Sequence, residues 1–560
     1  MSRLSWQRIS PPALILLLLI SIYFLAAMCL SVLRVFELQT GNWDLGIFQQ
    51  AFWSTAHGHP LYEAGDYEMS GAESLFEIHP ALLLVPLGAL YSAAPSPLTL
   101  FGAQTAAVAL GALPLYYIAK DATGSDRRAL LVAGLYLIWP PLLAANLYDF
   151  HLEAFLPLEL FSLFLLWSRG RYWLGFVAAA FAWVTLQIGP VLVAFVAVYF
   201  LWPSLVSFSR WTLRSLRRRA GSETTSLPAR WARPLKIFWN RADLPSIGLG
   251  AGSVAAYALF LFLQNHPGLV GLLPNPVSGS PSVPFTGGSL YISLQHLTPD
   301  FLQKVGYWFL LYALVGFLPW WAPRTQILVL PWLAYTFVSH SEFTVFGNQY
   351  GFIPVFPLMV GFAYGLGRLI PPSDLRAVKA PPSRSGSHTG RPMLSTLGSA
   401  RFPGPDSSRR IGAILAIGCL ILCAILSPAD PLAQGRFAGN GYDVSYLTDV
   451  PYSEVKHLMN LVPANATVLS SNDLFPFFAN DIHAYALLWT TSVPPFLPFN
   501  QSHLPVFLAI DSTQWNSVPA WLMPLVGRSS LYSIDGSVSV ALGRTITLYQ
   551  LSGNLNSAPA

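Results

Sequence analysis

Long apolar runs separated by short polar stretches dominate the chain. The first covers residues 12–33 (PALILLLLISIYFLAAMCLSVL), and about 20 mostly apolar residues suffice to cross a bilayer as a helix. Similar runs occupy residues 98–119, 129–148, 154–168, 173–188, 191–206, 244–264, 305–320, 325–339, 351–369 and 411–427. Together they predict about eleven transmembrane helices. Residues 80–94 (PALLLVPLGALYSAA) are apolar too, but too few to cross comfortably. They read as a helix lying in or dipping into the outer interface. Beyond residue 427 the pattern changes. Short β-like runs at 467–470, 506–510 and 545–551 predict a small α/β domain.

Composition and charge give this pattern a class and a direction. Charged residues make up 10% of the chain and hydrophobic ones 53%, whereas a soluble domain carries roughly 25% charged residues. The chain therefore reads as an α-helical polytopic membrane protein. Residues 204–243 hold nine Lys/Arg against two acids, and residues 370–410 hold seven against two. Basic loops stay in the cytoplasm, so both are placed inside and act as topological anchors. The stretch 34–97 is the opposite case: Glu37, Asp44, Glu63, Asp66, Glu68, Glu73 and Glu77 stand against Arg34 alone, which places it outside. If 80–94 crossed the membrane, Lys120, Arg127 and Arg128 would be carried outside with the Arg169/Arg171 loop. The interfacial reading of 80–94 avoids that.

The first run follows Arg3 and Arg8 and lacks a small-residue cleavage site, so it reads as retained, with its N-terminus in the cytoplasm. Residues 1–427 form the expected membrane domain of a plasma-membrane protein, and residues 428–560 an extracytoplasmic one. Asn465-Ala466-Thr467 and Asn500-Gln501-Ser502 fit a glycosylation triplet. Cys29, Cys419 and Cys423 all lie in apolar runs and suggest neither a disulfide framework nor a zinc site. The basic residues are explained by topology, leaving no nucleic-acid partner to expect.

The candidate chemistry gathers at the outer ends of these helices, where ionisable residues are costly and functional by default. "GNWDLGIFQQAFW" (41–53) sets Asp44 among Trp43, Gln49 and Trp53. Asp44 serves as a catalytic candidate or as the N-cap of a helix beginning at Leu45. "YDFHLEAF" (148–155) brings Asp149, His151 and Glu153, which share one side if the loop is extended. Asp149 and His151 together suit a divalent cation, Mn²⁺ or a related ion, while an all-oxygen set would favour Mg²⁺. Glu77 and His79, Lys304, and Gln349-Tyr350 are candidates for substrate binding at the same boundary. Glu63, Asp66, Glu68 and Glu73 read as an ordinary solvated acidic loop. The aromatic residues around Asp44 suit an interfacial belt as well as a stacking surface.

An ordered set of motifs resembles a prokaryotic membrane-protein family, domain of unknown function 2079. The set comprises "DLGIFQQAFW…GHP" (44–60), "EIHPALLLVPL" (77–87), "PSPLTLFGAQTAAVALGALPLYYIAKDATGS" (95–125), "YDFHLEAFLPLELF" (148–161), "NQYGFIPVFPLMVGFAYG" (348–365) and "VPANATVLSSNDLFPFFANDIHAYAL" (462–487). The resemblance implies a GT-C-like architecture, related to membrane glycosyltransferases that use polyprenyl-phosphate-linked sugars. It places Asp44 as the essential acid of the first outer loop, 80–94 as a juxtamembrane helix and Asp149 as a second acidic site. The chain departs from the pattern at "TLQIGP" (185–190), where an acidic KED-like patch is expected, and at Gln349-Tyr350, where a His-Tyr pair is usual.

Two functions follow as expectations. One is inverting transfer of a sugar from a polyprenyl-phosphate donor, with Asp44 as general base and the acceptor open. The other is non-catalytic binding or transport of a lipid-linked or small polar solute, motivated by the missing KED-like patch and by the lack of cation pairing in the first loop.

Overall fold

A computed structural model describes residues 10–41, 45–70, 74–219, 243–265, 300–370, 405–427, 451–464, 466–487, 506–513, 531–539 and 544–551. Each of the eleven apolar runs contains helix. The membrane part runs α1 (Pro11–Phe36), α2 (Ile47–Ala56), α3 (Ala64–Ser70), α4 (Leu75–Ile78), α5 (Leu84–Ala93), α6 (Pro97–Thr123), α7 (Asp126–Leu137) and α8 (Pro140–Tyr148). It continues with α9 (Leu156–Ser168), α10 (Tyr172–Thr185), α11 (Gly189–Arg219), α12 (Asp243–Asn265), α13 (Phe301–Leu314), α14 (Gln326–Val338), α15 (Phe352–Leu369) and α16 (Pro405–Ile425). Among the described residues five helices are long and apolar enough to cross a membrane, or six with α7 and α8 joined across their 42° bend. Several runs read as spans form helices of only 13 or 14 residues.

Local chemistry explains the breaks. The Ser96 hydroxyl accepts the Leu98 N–H, Pro97 opens α6, and Gly124 closes it at φ 62°, a left-handed position suited to glycine. Pro140 and Pro141 follow Trp139 and interrupt the span between α7 and α8, because proline cannot continue the hydrogen-bond ladder. Within α11, Pro203 has no N–H to offer the Tyr199 carbonyl. The Arg324 guanidinium supplies the missing donor through Nε at 3.0 Å and Nη2, and its Cζ lies 4.2 Å from the Tyr199 ring centre.

Charged connections gather at one end of the helices. Arg169 pairs with Asp121 at 2.9 Å, Lys120 pairs with Asp126 at 2.7 Å, and Arg128 donates to the Ile370 carbonyl. The first loop and the loops after α8 and α14 meet at the other end. On α1, Leu14, Leu18, Ile22 and Leu25 face outward, as lipid contact requires. Cys419 and Cys423 are buried on α16, as expected of small packing residues.

The C-terminal part forms one five-stranded sheet, in the order β2-β1-β3-β5-β4. Its strands are β1 (Thr467–Ser470), β2 (Ala484–Ala486), β3 (Val506–Asp511), β4 (Leu531–Ser539) and β5 (Thr545–Leu551). β1 runs parallel to both neighbours, with Val468 opposite Ala484 and Phe507, while β5 is antiparallel to β3 and β4. Two helices, α17 (Tyr452–Met459) and α18 (Phe475–Phe478), cover one face through Val455, Leu458 and Phe475. On the other face Leu469, Tyr485, Leu508 and Ile510 enclose Ala64 from the first loop. Burial on both faces accounts for an unbroken buried run along β1. Leu38, at φ 55° just after α1, inserts into the Val455–Phe475 cluster, and Phe36 packs at a tilt against Tyr452, ring centres 4.8 Å apart. The sheet therefore rests directly on the first loop.

Candidate functional site

The end of α1 anchors the site. Arg34 lies in its last turn, where a cation complements the helix dipole. It is 4% exposed and donates to the carbonyls of Leu147 and Gln39. Its Nη1 stands 3.7 Å from the Asp149 carboxylate, and the Gly41 N–H donates to the same carboxylate at 3.3 Å. Arg34 thus supplies the positive charge that seemed scarce in the first loop, and Asp149 receives it. An added Cβ on Gly41 would stand 2.9 Å from the Asn472 side chain, so the strand-end loop after β1 reaches this same point.

A second clamp comes from α6. Gln104 is wholly buried. Its Nε2 donates to the carbonyls of Asn146 at 3.1 Å and Asp149 at 2.9 Å, and its Oε1 accepts the His151 N–H at 2.7 Å. Asp149 (φ −157°, ψ −167°) and His151 (φ −146°, ψ 144°) are both extended, which meets the condition for a shared side. The sharing stops there, because Leu152–Phe155 coil into a 3-10 turn that takes Glu153 with them. Tyr148 stacks on His151 at 5.4 Å. Asp149, His151 and Glu153 are all buried.

The loop after α14 joins from the side. Gln349–Gly351 form a 3-10 turn packed on α8 and on the turn at 152–155. A Cβ on Gly351 would fall 2.4 Å from the Pro141 carbonyl, so only glycine permits this approach. Tyr350 packs on Phe343 at 4.4 Å. Lys304 is 1% exposed and donates to the carbonyls of Phe337 and Ser339, at 3.2 and 2.7 Å. It caps the C-terminus of α14, a role that its sequence position did not suggest.

The other candidates distribute around the first loop. Asp44 and Trp43 lie outside the described residues, and Glu77 is described by its backbone alone. The flanks of 42–44 are fixed: Gly46 N–H donates to the Gly41 carbonyl at 3.0 Å, and Leu45 is wholly buried. Gln49 is buried, with Nε2 3.3 Å from the Tyr91 hydroxyl, which donates to Asn480 at 2.7 Å. Trp53 stacks on His57 at 3.8 Å. His79 has a buried Nδ1 with no hydrogen-bond partner among the described residues.

Three further features were missed in the sequence. Glu63 and Glu68 are each 1% exposed rather than solvated. They lie where α3 meets β2, beside Tyr62, Tyr67 and Tyr485, and burial pushes the Glu68 carboxyl well above the usual range. Gln50, wholly buried, donates to the carbonyls of Asp481 at 2.7 Å and Ala484 at 3.0 Å and accepts the Ala64 N–H at 2.7 Å. Glu159, near the start of α9, accepts from Thr185 at 2.7 Å; its other carboxylate oxygen is buried without a partner among the described residues. A carboxylate inside "LPLELF" is a visible signal for the last. Nothing in the local pattern distinguishes Gln50.

Replacing Gln50 with Leu takes the side-chain partner from the buried Ala64 N–H and Ala484 carbonyl, each worth about 1–3 kcal/mol. The sheet is expected to loosen from the first loop, cutting faster in limited proteolysis of the intact protein. Unchanged cleavage and melting would show that apolar packing alone holds the sheet.

The strand ends carry one further charge network. Arg544 bridges Asp473 at 2.7 Å and Asp511, while Ser471 and Thr513 donate to the two carboxylates. Burial, then the Asp511 charge, pushes Asp473 up to about 7 against the pull of Arg544. Asp511 is itself opposed by burial, yet hydrogen bonds from Asp473 and Thr513 and the Arg544 charge hold it low. An acid raised in the folded state makes that state bind more protons than the unfolded chain between the two pKa values. Stability from Asp473 is therefore fully present below about pH 4 and lost progressively as pH rises to about 7. Asp473→Asn mimics the protonated form, so melting of the intact protein should lose this slope. The same slope in the variant would assign it to another group.

Among the described residues no group of three His, Cys, Asp or Glu is placed to hold a metal ion. Asp149 and His151 offer two donors, and the Arg34 guanidinium already stands against the first.

A family sequence profile described as "Predicted membrane protein (DUF2079)" matches residues 34–521. The chain belongs to this family. It is a multi-pass membrane protein, in keeping with its apolar helices. No curated protein matches the DUF2079 chain. Among solved structures it is similar to ArnT from Cupriavidus metallidurans bound to undecaprenyl phosphate, at 12% identity and a TM-score of 0.47, covering 96% of this chain and 99% of that one. The apo form of that ArnT gives 13% identity and 0.44, with 96% and 98% coverage. The archaeal oligosaccharyltransferase AglB from Archaeoglobus fulgidus, in complex with an inhibitory peptide and a dolichol-phosphate, gives 12% and 0.41, with 94% and 76% coverage.

Proposed function

We propose that this DUF2079 protein is an inverting glycosyltransferase that moves a sugar from a polyprenyl-phosphate-linked donor to an acceptor at the outer face of the plasma membrane. Its architecture would be GT-C-like, with about eleven spans, the N-terminus cytoplasmic and the C-terminal domain outside. The observation that carries this reading is the convergence on Asp149. A buried carboxylate is held by Arg34 and Gly41 of the first loop and aligned with His151 by α6, and the sheet's Asn472 abuts the same Gly41. Three separate pieces of chain thus meet at one helix boundary, beside the segment that bears Asp44. The ordered motifs named above support the donor class.

In the proposed step Asp44 takes the proton of an acceptor hydroxyl. That oxygen bonds to the anomeric carbon from the face opposite the phosphate. The bond from carbon to phosphate oxygen breaks, its electron pair leaving with the polyprenyl phosphate, and the configuration inverts. Phosphate is already a good leaving group and needs charge stabilisation and orientation more than a proton. His151 and Asp149 would face that side, Gln349 and Tyr350 would border it, and Trp43 and Trp53 would stack on the sugar. Gln49, Glu77, His79 and Lys304 complete the proposed binding set. A bound Mn²⁺ or Mg²⁺ would add Lewis acidity, with Asp149 and His151 as its donors; no step here depends on it.

The test is transfer of radiolabelled sugar from polyprenyl-phosphate donors by the purified full chain, with host-membrane acceptors. Labelled acceptor supports the transferase. Saturable binding of polyprenyl phosphate without transfer from any donor would overturn catalysis and favour a lipid-linked-solute binder.

A further inference from the structure

We propose that Gln104 is the positioning residue that gives Asp149 and His151 their common direction. This rests on the reading above, in which those two side chains face the donor phosphate. A side-chain amide inside an apolar helix is costly unless its polar atoms are satisfied, and Gln104 finds its partners in the backbone after α8. One amide plane donates to the carbonyl of residue 149 at 2.9 Å and accepts from the N–H of residue 151 at 2.7 Å. A residue of a neighbouring strand makes this same pair of contacts in a parallel ladder. Gln104 therefore acts as a strand one residue long.

The consequences are visible on either side of residue 150. Asp149 and His151 take extended backbone angles, and alternation directs their side chains to one side. Phe150 goes to the other, wholly buried and 5.0 Å from the Phe48 ring. The second Nε2 hydrogen reaches the Asn146 carbonyl at 3.1 Å, so the same amide holds the last turn of α8 from which the loop departs. Without it residues 149–151 lose their pairing partner, and nothing in the alternation then forces Asp149 and His151 to agree.

The experiment compares Gln104→Leu, which removes all three bonds, and Gln104→Glu, which keeps the shape and the bond from His151 N–H but loses both donors. Thr105→Val serves as a control, since Thr105 accepts from the Asn146 side chain at 3.3 Å without touching residues 149 or 151. In the transfer assay both Gln104 variants should lower kcat about ten- to a hundredfold, the scale of a misplaced catalytic geometry. The KM for acceptor should stay unchanged. Thr105→Val should lower melting temperature alone. Should Gln104→Leu not accumulate, Gln104→Glu carries the same test. Reduced melting temperature with unchanged kcat would make Gln104 a structural clamp only and overturn the proposal. If the wild type binds polyprenyl phosphate without transfer, the transferase reading fails by itself. The positioning role then predicts about tenfold weaker lipid binding by both variants, and unchanged affinity would overturn it.

Discussion

Asp44→Asn is expected to abolish sugar transfer while leaving the protein folded. Loss of a general base costs about 10²–10⁴-fold in rate, and an amide of the same shape has no carboxylate to take the proton. The substitution also separates the two readings of Asp44. As a helix cap, Asn is about as good as Asp, so a purely capping role predicts no loss of activity or stability. A π turn over residues 45–46 leads into α2 at Ile47, and Gly46 makes no side-chain cap bond. The anchors around the segment, Gly41 on Asp149 and Gly46 on Gly41, do not involve the Asp44 side chain. The variant should therefore match the wild type in melting and in polyprenyl-phosphate binding. Full transfer by Asp44→Asn would remove the base role outright.

The apolar helices and three of the five strands were legible because they depend on local periodicity and length. Residues 12–33 and 98–119 became α1 and α6, 80–94 became the short helix α5, and the three predicted strands became β1, β3 and β5. Prolines 140 and 141 bent the span predicted as continuous over 129–148. Long-range partners were not legible. Arg34 looked like a stray cation in an acidic loop, yet its carbonyl partner Leu147 lies 113 residues away. Glu63 and Glu68 looked solvated because burial by a sheet some 400 residues later leaves no trace in the acidic stretch itself. Lys304 read as a substrate-binding candidate, and its bonds to the Phe337 and Ser339 carbonyls at the end of α14 left no sign in its own stretch. Gln104 and Gln50 escaped notice for a simpler reason: a glutamine in an apolar run carries no pattern, and its value lies wholly in the backbone it meets.

Arg34→Met is expected to destabilise the protein more than any other single change considered. Removing one partner of a buried ion pair costs about 3–5 kcal/mol, because the remaining charge stays desolvated. Here the pair is 5% and 7% exposed, and the carbonyls of Leu147 and Gln39 lose their donor as well. Arg34→Lys should recover little, since a single ammonium cannot match the planar fork that serves two carbonyls and a carboxylate together. Adding Asp149→Asn to Arg34→Met removes the stranded charge, so the double variant should be more stable than Arg34→Met alone. Denaturation in detergent at fixed lipid content reads this directly. Arg34→Met within about 1 kcal/mol of the wild type would show a pair that contributes as little as a surface one. The double variant also decides what Asp149 is for. If it only balances Arg34, activity returns together with stability. If its carboxylate acts on the donor, stability returns and transfer does not, because the neutral amide that relieves the buried charge has also removed the group the chemistry uses.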